Sequence, residues 1–312
     1  MSLSEGMSNS TLSETLPSYN YMDSELTIGL EALFVMSMVI FTLIVLLGVP
    51  GNGAVIWVTG FKMKSKAHTV CFLNLAAADL MHCLLLSFLI ISFFVISSGY
   101  FMNINLPLWM SIMYLNAFAS VYLLCLISIY RCLAVTRPIW FQQHLRLAWV
   151  RVTCFVAWVI AIAMWLAILF SWNLFNTMPI VMAFCFCPPF VIMVISYAVL
   201  GWRLHRERFA KSWKPIRLIV IAVAAFVICW LPFSLCVLSI HFYITVPEGW
   251  FIFFQALASF NSALNPLIYV FAGSDFRQVF KRSVFASLQL AFAEHELQGE
   301  TPNRNPTSNR NV

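Results

Sequence analysis

A chain of 312 residues that is 62% hydrophobic and only 10% charged, with a mean hydropathy of +0.87, is too apolar for a soluble globular protein. This composition predicts an integral membrane protein whose partner is the lipid bilayer. The net charge of +6 does not indicate a nucleic-acid partner, because the basic residues lie in the connections between hydrophobic segments.

Residues 1–27 form a polar N-terminal tail, rich in Ser, Thr and acidic residues, which we expect to be disordered and extracellular. Because no cleavable signal peptide is evident, the first hydrophobic segment is expected to act as its own signal. Asn9 begins an Asn-Ser-Thr sequon and is a predicted glycosylation site. Tyr19 and Tyr21 stand among acidic residues, a setting that suits tyrosine sulfation and a basic ligand as well as it suits a merely solvated tail.

Seven hydrophobic segments follow the tail and predict an all-α membrane protein, a seven-transmembrane helix bundle over residues 28–272. The segments lie at about residues 28–60, 69–97, 107–131, 149–172, 179–203, 215–241 and 249–272. As helices, they are long enough to cross a hydrocarbon core of roughly 30 Å.

The distribution of basic residues predicts the orientation of the bundle. All 18 Lys and Arg residues lie around the connections after the first, third, fifth and seventh segments, whereas the N-terminal tail and the alternate connections carry none. By the positive-inside rule, the N-terminus is extracellular and the C-terminus cytosolic in a multi-pass plasma-membrane protein. After the bundle we expect a short amphipathic membrane-surface helix, the eighth, at residues 273–290 and a disordered cytoplasmic tail at residues 291–312.

Polar residues inside the segments are few and follow a helical period. In the third segment, Asn116 and Ser120 share one face, and Arg131 follows about three turns later near the same face, so this helix is expected to be central. Asp79 is a lone carboxylate at membrane depth in the second segment. Asn261 and Asn265 share a face of the seventh segment, so Asp79 can be surrounded by oxygen ligands from the third and seventh segments.

The polar motifs occur in a characteristic order: Gly51-Asn52, LNLAAAD ending at Asp79, Arg131-Cys132, Trp158, Pro189 with Tyr197, CWLP around Trp230 and Pro232, and NPLIY from Asn265 to Tyr269. This set resembles the rhodopsin-like (class A) G-protein-coupled receptors over about residues 28–290. The stretches GNGAVIWVTGFKM, RPIWFQQH and ASFNSALNPLIYVFAGSDFRQVF are similar to the chemoattractant branch, the formyl-peptide receptors and their relatives. The resemblance implies a receptor, not an enzyme, that converts binding of an extracellular peptide or lipid chemoattractant into activation of a heterotrimeric G protein.

The resemblance also implies roles for single residues. The residues expected to hold an allosteric sodium ion, the only cofactor considered, are Asp79, Asn116, Ser120, Asn261 and Asn265, although a hydrogen-bonded water network is the alternative. Trp230 would be displaced by ligand, although an aromatic side chain that simply fills the core is the alternative. Independently of the resemblance, Pro189, Pro232 and Pro266 each remove a backbone hydrogen bond and bend their helix, which lets it pivot. Tyr197 and Tyr269 would meet Arg131 on activation. The expected intracellular partners are a Gi-type G protein and arrestin, the latter recruited weakly because the tail offers few phosphosites.

The sequence departs from the family in three ways. Tyr130 replaces the acidic residue that usually precedes the arginine, which predicts raised basal activity or altered coupling. No cysteine is placed for the usual extracellular disulfide, and the loop that would carry it shrinks to about residues 173–178. The positions at which formyl-peptide receptors bind their peptide carry Tyr114, Thr177 and Val181 instead of charged residues, so formyl-peptide recognition is not expected.

The candidate ligand-lining residues are aromatic side chains and one histidine, namely Tyr114, Phe118, Trp165, Trp172, Trp230, His241 and Trp250. Because the extracellular half has no Lys or Arg, they suit an apolar or cationic ligand better than an anion. Alternative functions are a non-signalling scavenger or a constitutively active orphan receptor, and a Mas-related-type receptor for cationic ligands. A transporter is disfavoured by the lack of internal repeats, and an intramembrane enzyme by the isolation of Asp79.

Overall fold

The computed structural model describes residues 16–95, 106–170, 174–207, 213–272 and 277–282, all of them in helices or in short connections between helices. The helices in order are α1 (Leu16–Trp57), α2 (Ala67–Val95), α3 (Leu106–Thr136), α4 (Pro138–His144), α5 (Leu147–Leu169), α6 (Leu174–Glu207), α7 (Trp213–His241), α8 (Glu248–Ala272) and the short α9 at residues 277–282. A π-helical turn at Val58–Lys62 ends α1.

Seven of these helices have the length and the apolar composition needed to cross a membrane. The spans are Gly29–Lys62, Ala67–Phe88, Met113–Thr136, Leu147–Leu169, Phe186–Arg203, Val220–His241 and Glu248–Tyr269. They match the seven predicted segments, which confirms the predicted fold class. The short α4 lies between the third and fourth spans. We call the two ends of the bundle the Arg131 end and the Trp250 end.

The boundary between the tail and the bundle differs from the prediction. Helix α1 begins at Leu16, twelve residues before the predicted start of the bundle. The physical reason is that adding residues to an existing helix gains one backbone hydrogen bond per residue, whereas starting a helix is unfavourable. Asn9 and Trp172 lie outside the described residues, as do the C-terminal tail at 291–312 and all of the predicted surface helix 273–290 except α9.

Helix α3 lies at the centre of the bundle, as its polar face predicts. It contacts α2, α5, α6 and α7. Most residues of this helix from Met113 to Tyr130 are buried by protein. Helix α5 faces outward instead, with Phe155, Val156 and Val159 exposed. Because α3 is enclosed by helices, its polar side chains have protein partners within reach at membrane depth.

Small residues bring α1 close to its neighbours. A Cβ atom on Gly51 would lie 2.9 Å from Cβ of Pro266 in α8, and one on Gly48 would overlap Sγ of Cys83 in α2. The side-chain amide of Asn52 then reaches across and donates to the Ser262 carbonyl of α8 at 2.9 Å. Close backbone approach at small residues, with an amide as a cross-link, is a common way for membrane helices to pack.

Candidate functional site

The Asp79 carboxylate of α2 is fully buried and accepts hydrogen bonds from two other helices. The side-chain amide nitrogen of Asn116 in α3 donates to Oδ1 at 3.1 Å, and that of Asn265 in α8 donates to Oδ2 at 2.7 Å. The structure therefore brings together residues that are 37 and 186 positions apart in the chain. A buried carboxylate needs such partners, because its desolvation is otherwise very unfavourable. We call Asp79, Asn116, Ser120, Ser262 and Asn265 the polar cluster.

Sequence reasoning missed Ser262, the fifth member of this cluster. Its hydroxyl donates to Oδ1 of Asn116 at 3.2 Å, and its backbone carbonyl accepts from Asn52 of α1. Ser262 thus links α1, α3 and α8 at one level. Its position three residues before Asn265 places both on the same face of α8, and this spacing is the sequence signal that could have found it.

Several buried oxygen atoms of the residues predicted to hold sodium have no hydrogen-bond partner among the described residues. They include Oγ of Ser120, Oδ1 of Asn265 and Oδ1 of Asn261, and the amide nitrogen of Asn261 is likewise without a partner there. Oxygen atoms of this kind are suitable ligands for a hard cation, so Asp79, Ser120 and Asn265 fit a sodium ion. Asn116 instead presents its nitrogen to Asp79 and its oxygen to Ser262.

A chain of aromatic rings lies beside the polar cluster. Tyr114 and Phe118 of α3, which flank Asn116, have ring centroids 6.2 Å apart, and Tyr114 lies 6.1 Å from Phe233 of α7. Phe233 is 6.2 Å from Trp230, which is 5.9 Å from Phe186 of α6. All of these side chains except the partly buried Phe186 are buried. We call these five residues the aromatic cluster; it joins α3, α6 and α7.

At the Arg131 end, three tyrosines have separate partners. Tyr130 is buried, and its hydroxyl is 2.5 Å from the hydroxyl of Thr153 in α5, so its side chain points to α5. The Tyr197 hydroxyl of α6 is 2.7 Å from the Ser128 hydroxyl of α3. Tyr269 of α8 packs against Phe72 of α2 with ring centroids 4.7 Å apart. The predicted meeting of Tyr197 and Tyr269 with Arg131 concerns another state and stays a prediction.

Comparison with known proteins decides the family. Residues 51–269 match the family described as the 7 transmembrane receptor (rhodopsin family). The chain belongs to this family. It is 31% identical to mouse formyl peptide receptor 2 over 89% of this chain and 91% of the relative, and 30% identical to the rabbit fMet-Leu-Phe receptor over 90% and 92%. Human N-formyl peptide receptor 3 is 29% identical over 90% and 91%.

These relatives confirm the formyl-peptide-receptor-like branch, so the protein is a multi-pass membrane receptor of the G-protein-coupled type. An extracellular ligand and a heterotrimeric G protein are the partners general to that class.

The predicted ligand-lining residues of the receptor do not form one group. Tyr114, Phe118 and Trp230 come together in the aromatic cluster, where they are buried. His241 and Trp250 lie at the Trp250 end instead; Trp250 is 43% exposed and packs on Phe254 with ring centroids 5.5 Å apart. The rings of His241 and Phe242 are 5.4 Å apart.

Trp165 of α5 is partly buried against the core. Val181, one of the three positions named above as lacking a charged residue, is buried and apolar. Sequence reasoning did not single out Phe233, which is fully buried and links α3 to Trp230. Its position three residues after Trp230 was the available signal, but aromatic residues at helical spacing are also typical of an ordinary core.

The three prolines singled out from the sequence lie inside helices. Pro232 is partly buried in α7, while Pro189 in α6 and Pro266 in α8 are buried. Each removes one backbone hydrogen bond from its helix. Pro232 follows Trp230 by two residues and Pro266 directly follows Asn265, so a weakened point in a helix adjoins each cluster.

Proposed function

We propose that this receptor resides in the plasma membrane with its N-terminus outside, and that a ligand bound at the Trp250 end activates a Gi-type G protein at the Arg131 end. The distribution of Lys and Arg supports the orientation, because all 18 lie on the Arg131 side of the spans. The Gi-type partner follows from the resemblance to chemoattractant receptors.

One observation carries this proposal. A single stretch of α3, from Tyr114 to Ser120, contributes both to the aromatic cluster and to the polar cluster. Asn116 stands between Tyr114 and Phe118 and donates to Asp79. A displacement of Trp230 would repack Phe233 and Tyr114, and so would disturb the polar contact next to them. An interior packed this densely shifts between discrete arrangements and does not deform continuously.

Ligand binding would act as a shift between two populations. The hydrogen bond between Tyr197 and Ser128 holds α6 to α3 in the arrangement described here. A ligand that binds better to an arrangement in which α7 moves outward favours that arrangement by its difference in affinity. The outward movement would open the Arg131 end to a helix of the G protein.

The charges at the Trp250 end favour a cationic or apolar ligand. Half of the 12 acidic residues belong to this side of the chain, namely Glu5, Glu14, Asp23, Glu25, Glu31 and Glu248, and no Lys or Arg does. Glu31 and Glu248 are exposed. Each directly adjoins a residue of a contact between α1 and α8, because a Cβ on Gly249 would lie 3.0 Å from Cδ2 of Leu30. An anionic ligand would have no basic side chain to pair with there.

A charge-reversed ligand pair tests this ligand class. We expect a cationic amphipathic peptide to activate the receptor and its acidic counterpart of equal hydrophobicity to be inactive. The double substitution Glu31→Gln and Glu248→Gln should weaken the cationic peptide about tenfold, since each exposed charge contributes up to about 1 kcal/mol. Glu207→Gln, at the Arg131 end, is the matched control. Equal responses to both peptides would contradict the proposal.

Sodium is proposed as an allosteric ligand that favours the resting arrangement. Asp79, Ser120 and Asn265 would hold it, with Asn116 as a partner of the carboxylate and Asn261 as a further oxygen donor. The ion would supply positive charge to Asp79 in a region from which water is largely excluded. The protein residues would provide the oxygen cage and would hold α2, α3 and α8 together.

Signalling itself is tested by nucleotide exchange. Purified receptor in nanodiscs should accelerate GDP release from a Gi heterotrimer without agonist, and Arg131→Ala should abolish the acceleration. Arg137→Ala, an exposed arginine at the same end, is the control that should keep it. If neither the receptor nor any ligand changes exchange on Gi, Gs, Gq or G12 heterotrimers, the silent scavenger function would replace this proposal.

A further inference from the structure

A cavity of about 430 Å³ lies at the Arg131 end, between the beginning of α2, the end of α3, α4 and the beginning of α5. Its polar lining includes Lys66, His68, Arg131 and the buried Tyr130, and part of its apolar lining comes from Phe141 and Leu145. It lies at the opposite end of the bundle from the proposed ligand site, and neither the polar cluster nor the aromatic cluster contributes to it.

The charge of this cavity is positive. Lys66 and Arg131 both line it, and none of the described residues in its lining is acidic. Ala67 and Leu147, the first residues of the long helices α2 and α5, also line it, and the partial positive charge of a helix N-terminus adds to that of the two side chains. Tyr130 brings no charge, because a phenol is neutral near pH 7. Its hydroxyl pairs with Thr153.

The apolar lining of the cavity and the exposed aromatic residues around it are typical of the interface between lipid and water. Phe141, Leu145 and Leu147 give it an apolar side. Next to them, Ile139 and Trp140 of α4 and Trp149 of α5 are exposed, at 71%, 44% and 62%. Exposed tryptophans at the end of a membrane bundle are typical of the level of the lipid head groups. An occupant with an anionic head group and an apolar body could contact both the basic side and the apolar side of the cavity.

We propose that this cavity binds the phosphomonoester head group of an anionic lipid from the leaflet at the Arg131 end. Lys66 and Arg131 hold the phosphate, while the glycerol and the beginning of the acyl chains contact Phe141 and Leu145. Basic pockets between membrane helices suit polyphosphorylated inositol lipids in this way. A zwitterionic lipid binds less well, because its own cationic group would meet Lys66. The bound phosphate then supplies a negative charge beside Arg131. The residue that precedes Arg131 in the chain, Tyr130, supplies none.

The two neighbouring lysines of the same connection allow a matched comparison. Lys66 lines the cavity, whereas Lys64 is exposed two residues earlier and is absent from the lining. Lys62 is less suitable as a control, because its ammonium lies 5.4 Å from the centre of the Trp57 ring. Lys64→Gln and Lys66→Gln remove the same charge from the same connection, so a difference between them reports the cavity and not the general attraction of a basic surface.

Lipid binding is measured on full-length receptor in nanodiscs of phosphatidylcholine that contain a few mole per cent of phosphatidylinositol 4,5-bisphosphate, by native mass spectrometry of the released complexes. We expect Lys66→Gln to weaken binding of the bisphosphate lipid about tenfold, as loss of a charge-assisted contact would. Lys64→Gln should change it less than twofold. Ala134→Phe, which fills the cavity without changing charge, should abolish binding. Size-exclusion profiles and unfolding temperatures check that each variant is folded.

Three results would overturn the proposal. Equal losses in Lys64→Gln and Lys66→Gln would mean diffuse attraction to a basic surface. Undiminished binding in Ala134→Phe would place the lipid elsewhere. Displacement of the lipid by soluble inositol trisphosphate at a similar concentration would show that the cavity binds a free anion equally well. The proposal that its ligand is a lipid would then be wrong. The readout is binding and not G-protein turnover, so this proposal and the proposed function fail separately.

Discussion

The polar cluster and the Arg131 end each contain a charged side chain of the bundle, but the surroundings of the two charges differ. Asp79 is fully buried, and both of its carboxylate oxygens accept from amides of other helices. Arg131 instead lines an open cavity whose described lining contains a second cation and no acid. In the middle of the bilayer, the partners of a charge must come from the protein, whereas near the head groups they can come from lipid, water or a partner protein. This difference suggests that the first region fixes the resting state and the second communicates with the surroundings.

The largest expected effect is the loss of the buried carboxylate. Asp79→Ala leaves the side-chain amides of Asn116 and Asn265 without their acceptor, so the free energy of unfolding in detergent should fall by about 3 kcal/mol. Glu248→Ala removes an exposed carboxylate at the start of α8 and should have little effect. Thermal unfolding measures both. Equal unfolding temperatures for the two variants would mean that burial does not distinguish the two carboxylates.

A smaller effect is expected from restoring an acid at the Arg131 end. Tyr130→Asp should lower ligand-free nucleotide exchange about fivefold, because a carboxylate next to Arg131 would stabilise the resting arrangement by about 1 kcal/mol. Tyr130→Phe, which removes only the hydrogen bond to Thr153, is the control for loss of the phenol. The prediction of raised basal activity is wrong if Tyr130→Asp exchanges nucleotide at the wild-type rate.

Removing the hydrogen bond between α6 and α3 should change ligand-free nucleotide exchange by a similar or slightly smaller factor than Tyr130→Asp does. The change should be an increase and not a decrease. Tyr197→Phe removes the bond to Ser128, worth about 1 kcal/mol, and should raise ligand-free exchange by up to about fivefold. Ser128→Ala removes the same bond from the other side, and the double variant should add nothing further. Additive effects of the two substitutions would show that the two hydroxyls act independently.

The smallest expected effect concerns a contact outside both regions. Asn74 accepts a hydrogen bond from the indole of Trp158 at 3.2 Å, which joins α2 to α5. Trp158→Phe should lower the unfolding temperature by only a few degrees, as loss of one partly buried bond of about 1 kcal/mol would, and should leave nucleotide exchange unchanged. A change in exchange as large as that of Tyr197→Phe would mean that the switch extends to α5.

Most of the fold could be predicted from the sequence, because hydrophobic length and the placement of charges are strong signals in membrane proteins. The meeting of Asp79, Asn116 and Asn265 followed from the energetics of buried polar groups and the helical period. The helical start of α1 at Leu16 could not be predicted, since polar residues extend an existing helix without an apolar pattern.

Other features of the site depend on how helices pack. Tyr130 points to Thr153, and this depends on the position of α5 relative to α3, which composition does not determine. The cavity at the Arg131 end likewise arises where the beginnings of α2 and α5 meet α4. Ser262 resembles any other small residue of a membrane helix until its partners Asn116 and Asn52 are known.

The dependence of ligand-free nucleotide exchange on sodium tests most directly whether the polar cluster controls the resting state. The measurement compares NaCl with KCl at equal ionic strength, for wild-type receptor and for Asp79→Asn, which keeps the size of the side chain but removes its charge. We predict slower exchange in NaCl than in KCl for the wild type and equal exchange in both salts for Asp79→Asn. Equal exchange of the wild type in both salts, or an undiminished salt difference in Asp79→Asn, would contradict the account.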